Sequence, residues 1–357
     1  MKIAIVAGGT GGHIYPALTL AEELQKRGNE IVFIGSNNRM EKELIPSFGY
    51  KFIGLDVDIF AGGIKGKVRS LHTIAKEERK CEKLLDGFDM AIGFGNYISV
   101  PVILAAKRKG LKTVIHEQNS FAGKANKLLD QQVDLVIGSY EENLKQFKNR
   151  NTHIYGNPQS SKALNVTKDE NTIKEFGLDS KKKTVVIFMG SLGSQSVHKI
   201  ILEYLNKTDG SYQIIYAAGK QNMDSLKDAN IDKPYIRCLE RIDGVKVMCA
   251  SDLVVSRAGA TTLSEICALG APSILIPSPY VPNNHQYLNA KSLVDKGAAT
   301  LIEEKDLTSD VLKNKIDELI FDDEKLKSLK EHAIAIRNPN VLEDIIMEIE
   351  RIWLKNF

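Results

Sequence analysis

The sequence predicts an α/β protein made of two Rossmann-like domains whose parallel sheets face a central cleft, and three observations predict it. Apolar runs of strand length alternate with helical patterns from end to end. The first run stops in a cluster of glycines, MKIAIVAGGTGGHIYPA, and the same design restarts at Thr184 with a second Gly-rich turn. A length of 357 residues also exceeds what one core ordinarily serves, so two domains are expected.

Ile3, Ile5 and Val6 read as a buried parallel strand, and Ile14, Leu18, Ala21 and Leu24 recur at helical spacing until Gly28 ends the helix. Gly8 to Gly12 therefore form a strand-to-helix turn, which points backbone N–H groups and a positive helix end outward and suits a phosphate or pyrophosphate. A nicotinamide cofactor is unlike this loop. From Gly9 and Gly11 the third position of G-x-G-x-x-G falls on Ile14, and the next strand, Ile31 to Gly35, ends in Gly35-Ser36 with no acidic residue for a ribose. Further strands are expected at Met90–Phe94, Thr113–His116, Leu135–Gly138, Thr184–Met189, Gln213–Ala217, Leu253–Val255 and Ser273–Ile276. The pattern weakens between Gly156 and Ser180, followed by one short helix, which sets a first domain over 1–158 and a second over 159–338.

Composition excludes several classes. A net charge of +3 is too small to imply nucleic acid. No apolar run approaches the roughly 20 residues of a bilayer span, and the start of the chain enters a strand without a leader pattern. Cys81, Cys238, Cys249 and Cys267 share no close spacing, against a metal cluster or a disulfide framework, and a reducing cytoplasm fits. Asp56-Val57-Asp58 resembles a metal-binding D-x-D pair, but alternation along Phe52 to Ile59 explains it as the solvated side of a strand, and no metal is expected. His72, His153, His198 and His332 show no ligand spacing and read as surface or structural.

The residues that suit chemistry gather at strand ends. His116-Glu117-Gln118-Asn119 closes one strand, and Gly95-Asn96-Tyr97 another, at the carboxyl edge where open α/β sheets bind ligands. Four consecutive polar side chains at that edge argue against a core position. In the second half, Arg257 and the N–H groups of the turn Ser256–Gly259 suit a diphosphate, and Glu265 suits two ribose hydroxyls or, more plainly, a solvated helix face. Asn283, Asn284, His285 and Gln286 open a helix, where they suit sugar hydroxyls or, for either asparagine, N-capping.

GGTGGHIYPAL, HEQN, GSLGS and SRAGATTLSEI, in this order and spacing, resemble the GT-B glycosyltransferases of family 28 that act in peptidoglycan synthesis, over nearly the whole chain. The resemblance implies a GT-B fold whose last helix, within 339–357, packs back on the first domain. It implies transfer of N-acetylglucosamine from UDP-GlcNAc to the muramoyl C4 hydroxyl of lipid I (undecaprenyl-pyrophosphoryl-MurNAc-pentapeptide), with inversion, giving lipid II. It places Ile242 at the uracil, Glu265 at the ribose, Ser191, Gly193, Ser194 and Arg257 near the diphosphate, and His285 and Gln286 at the sugar. Gly9, Thr10, Gly11, Gly12, Gly95, Asn96, Tyr97 and Asn119 fall on the acceptor side, with Thr10, Gly11, Gly12 and Asn119 also within reach of the donor. Three positions depart from the family pattern: Ser160 where many members carry arginine, Asn96 where glycine is frequent, and His285 where some have glutamine. No cofactor is implied, and other cell-wall synthesis proteins become candidate partners.

An inverting transfer needs a base, and His13 or Glu117 would serve. An imidazole titrates near pH 6.5, which suits work close to neutrality, whereas Glu117 has a rival role in orienting Asn119. A lipid acceptor implies peripheral contact with an anionic membrane surface on the cytoplasmic face. Lys65, Lys67, Arg69, Lys76, Arg79, Lys80 and Lys83, interspersed with Ile64, Leu71 and Ile74, form one basic segment, diluted by Glu77, Glu78 and Glu82. Lys107, Arg108, Lys109 and Lys112 form another. Lipid or natural-product glycosylation on the same fold, a UDP-GlcNAc 2-epimerase and a non-catalytic nucleotide-sugar sensor are the competing readings.

Overall fold

The computed structural model describes residues 1–56, 76–190 and 193–354. Ser191, Asp58, His72 and the basic and apolar positions at Ile64, Lys65, Lys67, Arg69, Leu71 and Ile74 lie outside the described residues. The chain forms two units, Met1–Gln159 with Asn340–Phe357, and Ser160–Pro339.

In the first unit the strands are β1 (Lys2–Val6), β2 (Glu30–Ser36), β3 (Lys51–Leu55), β4 (Met90–Gly93), β5 (Lys112–Glu117), β6 (Leu135–Gly138) and β7 (Thr152–Ile154). They pair in the order β3-β2-β1-β4-β5-β6-β7, all parallel. The strands are apolar on both sides because helices cover both faces. Ile3, Ile5, Phe33 and Ile92 pack toward one layer, and Ala4, Val6, Val32 and Ile34 toward the other. The helix Val341–Leu354 completes the first of these layers with Val341, Ile345, Ile346, Ile349 and Ile352. Each such side chain contributes about 2 kcal/mol of burial free energy, and an Arg27–Glu343 ion pair of 2.5 Å ties this helix to the helix Gly11–Lys26.

The second unit contains β8 (Thr184–Phe188), β9 (Gln213–Ala217), β10 (Ile236–Leu239), β11 (Leu253–Ser256), β12 (Ser273–Leu275) and β13 (Thr300–Leu301), parallel in the order β10-β9-β8-β11-β12-β13. Val185, Ile187, Ile214, Tyr216, Val255 and Ile274 pack against Ile201, Tyr204, Leu312 and Ile316 of the covering helices.

In each sheet the first strand lies in the interior, and the chain winds outward first to one side and then to the other. This produces a topological switch point between β1 and β4 in one unit and between β8 and β11 in the other. A crevice opens at the carboxyl ends of such a strand pair. Val6 pairs with Gly93 and Phe188 with Ser256, so the paired strands end level and their loops start side by side.

Two local expectations are corrected. The strand through Phe52 ends at Leu55, and Asp56 lies beyond it, accepting a hydrogen bond from Asn37 Nδ2 at 2.8 Å, so Asp56 is a loop residue instead of the polar side of a strand. Two short helices, Ser161–Leu164 and Glu170–Lys174, stand where one was expected.

Candidate functional site

At the switch point of the first unit the glycine loop is held from below. The carboxylate of Glu41, fully buried, accepts the Gly9 N–H at 3.0 Å and the Ser36 N–H at 3.1 Å. A Cβ on Gly8 would stand 2.3 Å from Glu41 Oε1. The loop is therefore less of an anion cradle than Gly8 to Gly12 suggests. One of its donors faces inward to a buried carboxylate, and the N–H groups of Gly11 and Gly12, the first two residues of the helix Gly11–Lys26, have no acceptor within the helix.

The next loop braces it from the side. Asn96 Nδ2 donates to the Gly8 carbonyl at 2.9 Å, and Asn96 Oδ1 accepts the Tyr97 N–H at 2.6 Å. Asn96 stands at φ +63°, a conformation that asparagine tolerates better than most residues. It keeps the backbone that a glycine would adopt and adds a tie between the two loops. A Cβ on Gly9, at φ +88°, would meet Asn96 Nδ2 at 2.2 Å. His13 Nδ1 lies 3.1 Å from Thr10 Oγ1, and the far side of the ring abuts Gly95, where an added Cβ would stand 3.5 Å from Nε2.

The third loop differs from its expectation. His116, Glu117 and Gln118 are buried, and only Asn119 is half-exposed: His116 and Glu117 are hydrogen-bonded to neighbouring side chains and backbone, whereas Gln118 Oε1 is buried without a hydrogen-bond partner among the described residues. Glu117 accepts from Asn119 N (3.0 Å), Asn119 Nδ2 (3.3 Å), Gly123 N (2.8 Å) and Asn126 Nδ2 (2.9 Å). Burial raises the Glu117 carboxyl above its usual range, and these four donors oppose the rise. Gln118 Nε2 donates to the Phe94 carbonyl at 3.2 Å and so joins this loop to the Gly95 loop.

His116 accepts at Nδ1 from Gln118 Nε2 (3.1 Å) and donates from Nε2 to the Gly156 carbonyl (3.0 Å). Burial lowers its imidazole to about 4, while the bond to Gly156 works in the other direction. A depressed histidine stabilises the fold fully above its ordinary value of 6.5 and loses that contribution as the pH falls toward 4. The raised carboxyl of Glu117 acts oppositely, its stabilisation being lost as the pH rises through its folded value. Between pH 7 and 4.5 urea unfolding of the wild type is expected to lose roughly 2–3 kcal/mol more than that of His116→Gln. Equal losses would remove His116 from this role.

In the second unit two helices begin at the switch point, Gln195–Lys207 after β8 and Ala260–Leu269 after β11, and neither has a side-chain N-cap hydrogen bond. Their first N–H groups make a positive pole. Ser194 does not cap because its hydroxyl accepts from Arg257 Nη2 at 2.6 Å and lies 3.0 Å from Ser196 Oγ. Ser194 and Arg257 thus stand in contact. Arg257 is no free arm, however: it is buried, and it reaches the Ile276 carbonyl (3.0 Å), Ser196 Oγ (3.2 Å) and the Glu304 carboxylate (2.6 Å) as well.

Ile242 is half-buried in the loop after β10, and Glu265 is half-buried on the helix after Arg257. Gln286 Oε1 accepts the Ser278 N–H at 2.9 Å, and His285 Nδ1 approaches the Pro282 carbonyl at 2.9 Å. Asn283 and Asn284 do not cap the helix His285–Val294 through their side chains. Both adopt left-handed backbone, φ +55° and +50°, and their contribution is the turn itself. Glu41, Asn126, Ser196 and Glu304 support the two sites without having been found in the sequence.

The acidic residues of the basic helical segment at 76–84 also point elsewhere than expected. Glu77 and Glu78 are buried, with Glu77 paired to Lys80 (2.5 Å) and Glu78 to Arg108 (3.1 Å), while Lys76, Arg79 and Lys83 are exposed. The second basic group is largely neutralised, since Lys107 reaches Asp134 (3.4 Å) and Lys109 reaches Asp86 (2.5 Å).

Residues 3–137 match the glycosyltransferase family 28 N-terminal domain, and residues 184–345 its C-terminal domain. The chain is 38% identical to a UDP-N-acetylglucosamine–N-acetylmuramyl-(pentapeptide) pyrophosphoryl-undecaprenol N-acetylglucosamine transferase of Bacillus cereus, across 99% of this chain and 100% of the relative. The crystal structure of Acinetobacter baumannii MurG superposes with a TM-score of 0.80 at 26% identity, over 98% of this chain and 99% of that one. A putative UDP-N-acetylglucosamine 2-epimerase from Listeria monocytogenes, at 12% identity and a TM-score of 0.69 over 99% and 97% of the two chains, shares the fold alone. The chain belongs to glycosyltransferase family 28.

Proposed function

We propose that this protein transfers N-acetylglucosamine from UDP-GlcNAc to the C4 hydroxyl of the muramoyl sugar of lipid I, inverting the anomeric carbon and releasing UDP and lipid II. The observation that carries this reading is the full-length match to the Bacillus cereus transferase, which includes both sheet-edge sites.

The donor belongs to the second unit, where two uncapped helix starts and Arg257 favour its diphosphate. Ile242 and Glu265 take the uridine, and His285 and Gln286 the sugar. The acceptor belongs to the first unit, with its pyrophosphate at Gly11 and Gly12 and its sugar beside Asn96, Tyr97 and Asn119.

His13 is the base. Nδ1 lies 3.1 Å from Thr10 Oγ1 and Nε2 lies beside Gly95; in the tautomer that serves as base Nδ1–H donates to the threonine and Nε2 takes the proton. The acceptor hydroxyl gives its proton to Nε2 as its oxygen bonds to the anomeric carbon, and the electron pair of the broken C–O bond leaves with UDP. The charge growing on UDP is stabilised by the same helix starts and guanidinium that bind it. Glu117 is a positioning residue, since four donors occupy its oxygens and two of them come from Asn119.

Among the described residues no helix is long and apolar enough to cross a membrane. A peripheral site on the cytoplasmic face of the cell membrane follows from the lipid acceptor. The outward cations Lys76, Arg79 and Lys83, free of the inward-turned Glu77 and Glu78, suit an anionic surface.

The test is UDP release from UDP-GlcNAc with purified protein, with and without a lipid I analogue. Release that depends on the analogue is expected. Glycosylation of diacylglycerol alone, or UDP-ManNAc formed without any acceptor, would overturn the assignment.

A further inference from the structure

We infer that Glu304 is a resident rival of the donor diphosphate at Arg257, a carboxylate that neutralises the guanidinium until the diphosphate displaces it. This rests on the reading that the diphosphate docks at Arg257.

The side chains of Arg257 and Glu304 are 7% and 10% exposed, and their nearest atoms are 2.6 Å apart. A guanidinium so buried requires a counter-charge, and Glu304 supplies it. The contact is charge without direction. Arg257 Nη2 carries two hydrogens, which Ser194 Oγ at 2.6 Å and Ser196 Oγ at 3.2 Å occupy, and Glu304 Oε2, although buried, has no aligned hydrogen bond. The other carriers of Arg257 are directional, so the arginine stays in place when the carboxylate leaves.

The mounting of Glu304 also favours release. It lies in the single turn Glu304–Asp306 that follows the two-residue edge strand β13, a turn closed by Asp306 N to the Glu303 carbonyl (3.0 Å) and Leu307 N to the Glu304 carbonyl (3.3 Å). A cavity of about 260 Å³ lined by Pro277, Tyr280, Asn284 and Tyr287 adjoins it and can receive the side chain. A diphosphate brings more charge and more acceptor oxygens than one carboxylate, and two anions on one buried guanidinium repel. Glu304 therefore weakens diphosphate binding while leaving the nucleoside part untouched, and it penalises ligands that lack the phosphates needed to displace it.

Calorimetric titration of wild type, Glu304→Gln and Arg257→Gln with UDP and with uridine tests this. Glu304→Gln is expected to bind UDP roughly five- to tenfold more tightly than wild type, with uridine affinity unchanged. Unchanged or weaker UDP binding by folded Glu304→Gln would overturn the inference. Arg257→Gln separates the two readings: if it binds UDP like the wild type, the diphosphate does not dock at Arg257 at all. Should Glu304→Gln fail to fold, amide exchange on the wild type decides. UDP, but not uridine, is expected to lower protection of Asp306 and Leu307 at least threefold, and unchanged or raised protection sinks the idea.

Discussion

Replacing His13 with alanine is expected to lower turnover by about 10²- to 10⁴-fold while UDP-GlcNAc affinity stays within about twofold of wild type. The asymmetry follows from where His13 sits. It belongs to the first unit, with its ring between Thr10 and Gly95, whereas the residues proposed to hold the donor belong to the second. Single-turnover rates at saturating lipid I analogue, together with donor titration, measure the two quantities separately. Thr10→Val removes the tautomer-setting partner but leaves the imidazole, so a smaller fall, about tenfold, is expected. Equal losses of rate and donor affinity in His13→Ala would take the base role away from it.

Gly193→Ala is expected to destabilise the second unit by about 2–4 kcal/mol and to weaken UDP binding more than about 100-fold. Gly193 stands at φ +79°, and an added Cβ would lie 2.2 Å from the Ala218 carbonyl oxygen and 2.8 Å from Asn222 Nδ2. Neither neighbour can retreat: Ala218 directly follows β9, its N–H bonded to the Leu239 carbonyl, and Asn222 Nδ2 itself donates to the Ala218 carbonyl at 2.8 Å. The loop must move instead, and Ser194, the next residue, moves away from Arg257. Gly190→Ala is the control. Gly190 shares the positive φ, +86°, but nothing lies within 4 Å of an added Cβ, so only the conformational strain of about 1–2 kcal/mol applies. Thermal melts and UDP titrations of both variants check this, and a Gly193→Ala protein that melts with the wild type would refute the steric account.

The alternation of apolar runs and helical patterns revealed both sheets because interior parallel strands are apolar on both faces and leave an unbroken signal. Three edge strands were not read: β7 and β13, with three and two residues, are too short to show a period, and in β10 (IRCL) Arg237 interrupts the apolar run. The glycine loops marked the carboxyl edges correctly, and the structure adds that both lie at switch points. What could not be read was the side of the backbone on which a charge falls. Glu41 and Glu77 resemble any helix glutamate in the sequence, yet both are buried, and His116-Glu117-Gln118 looked like a polar edge but is an interior polar cluster. Such positions are determined by pairing across the fold, Gly9 with Glu41 and Arg257 with Glu304, at separations that local patterns do not carry.

The helix Val341–Leu354 belongs to the unit that the chain begins, although the whole of Ser160–Pro339 is synthesised between them. A ribosome adding about 5–20 residues per second takes roughly ten to forty seconds over that interval. Throughout it, Val114 of β5 and Leu135 and Ile137 of β6 lack the covering that Ile345, Ile346 and Ile349 later provide. The nascent first unit therefore waits with an adhesive apolar face, and its folding is a ring closure that the helix Val341–Leu354 completes. Yield in cells should consequently respond to translation speed across the second unit and to chaperone supply, even where the finished protein is equally stable.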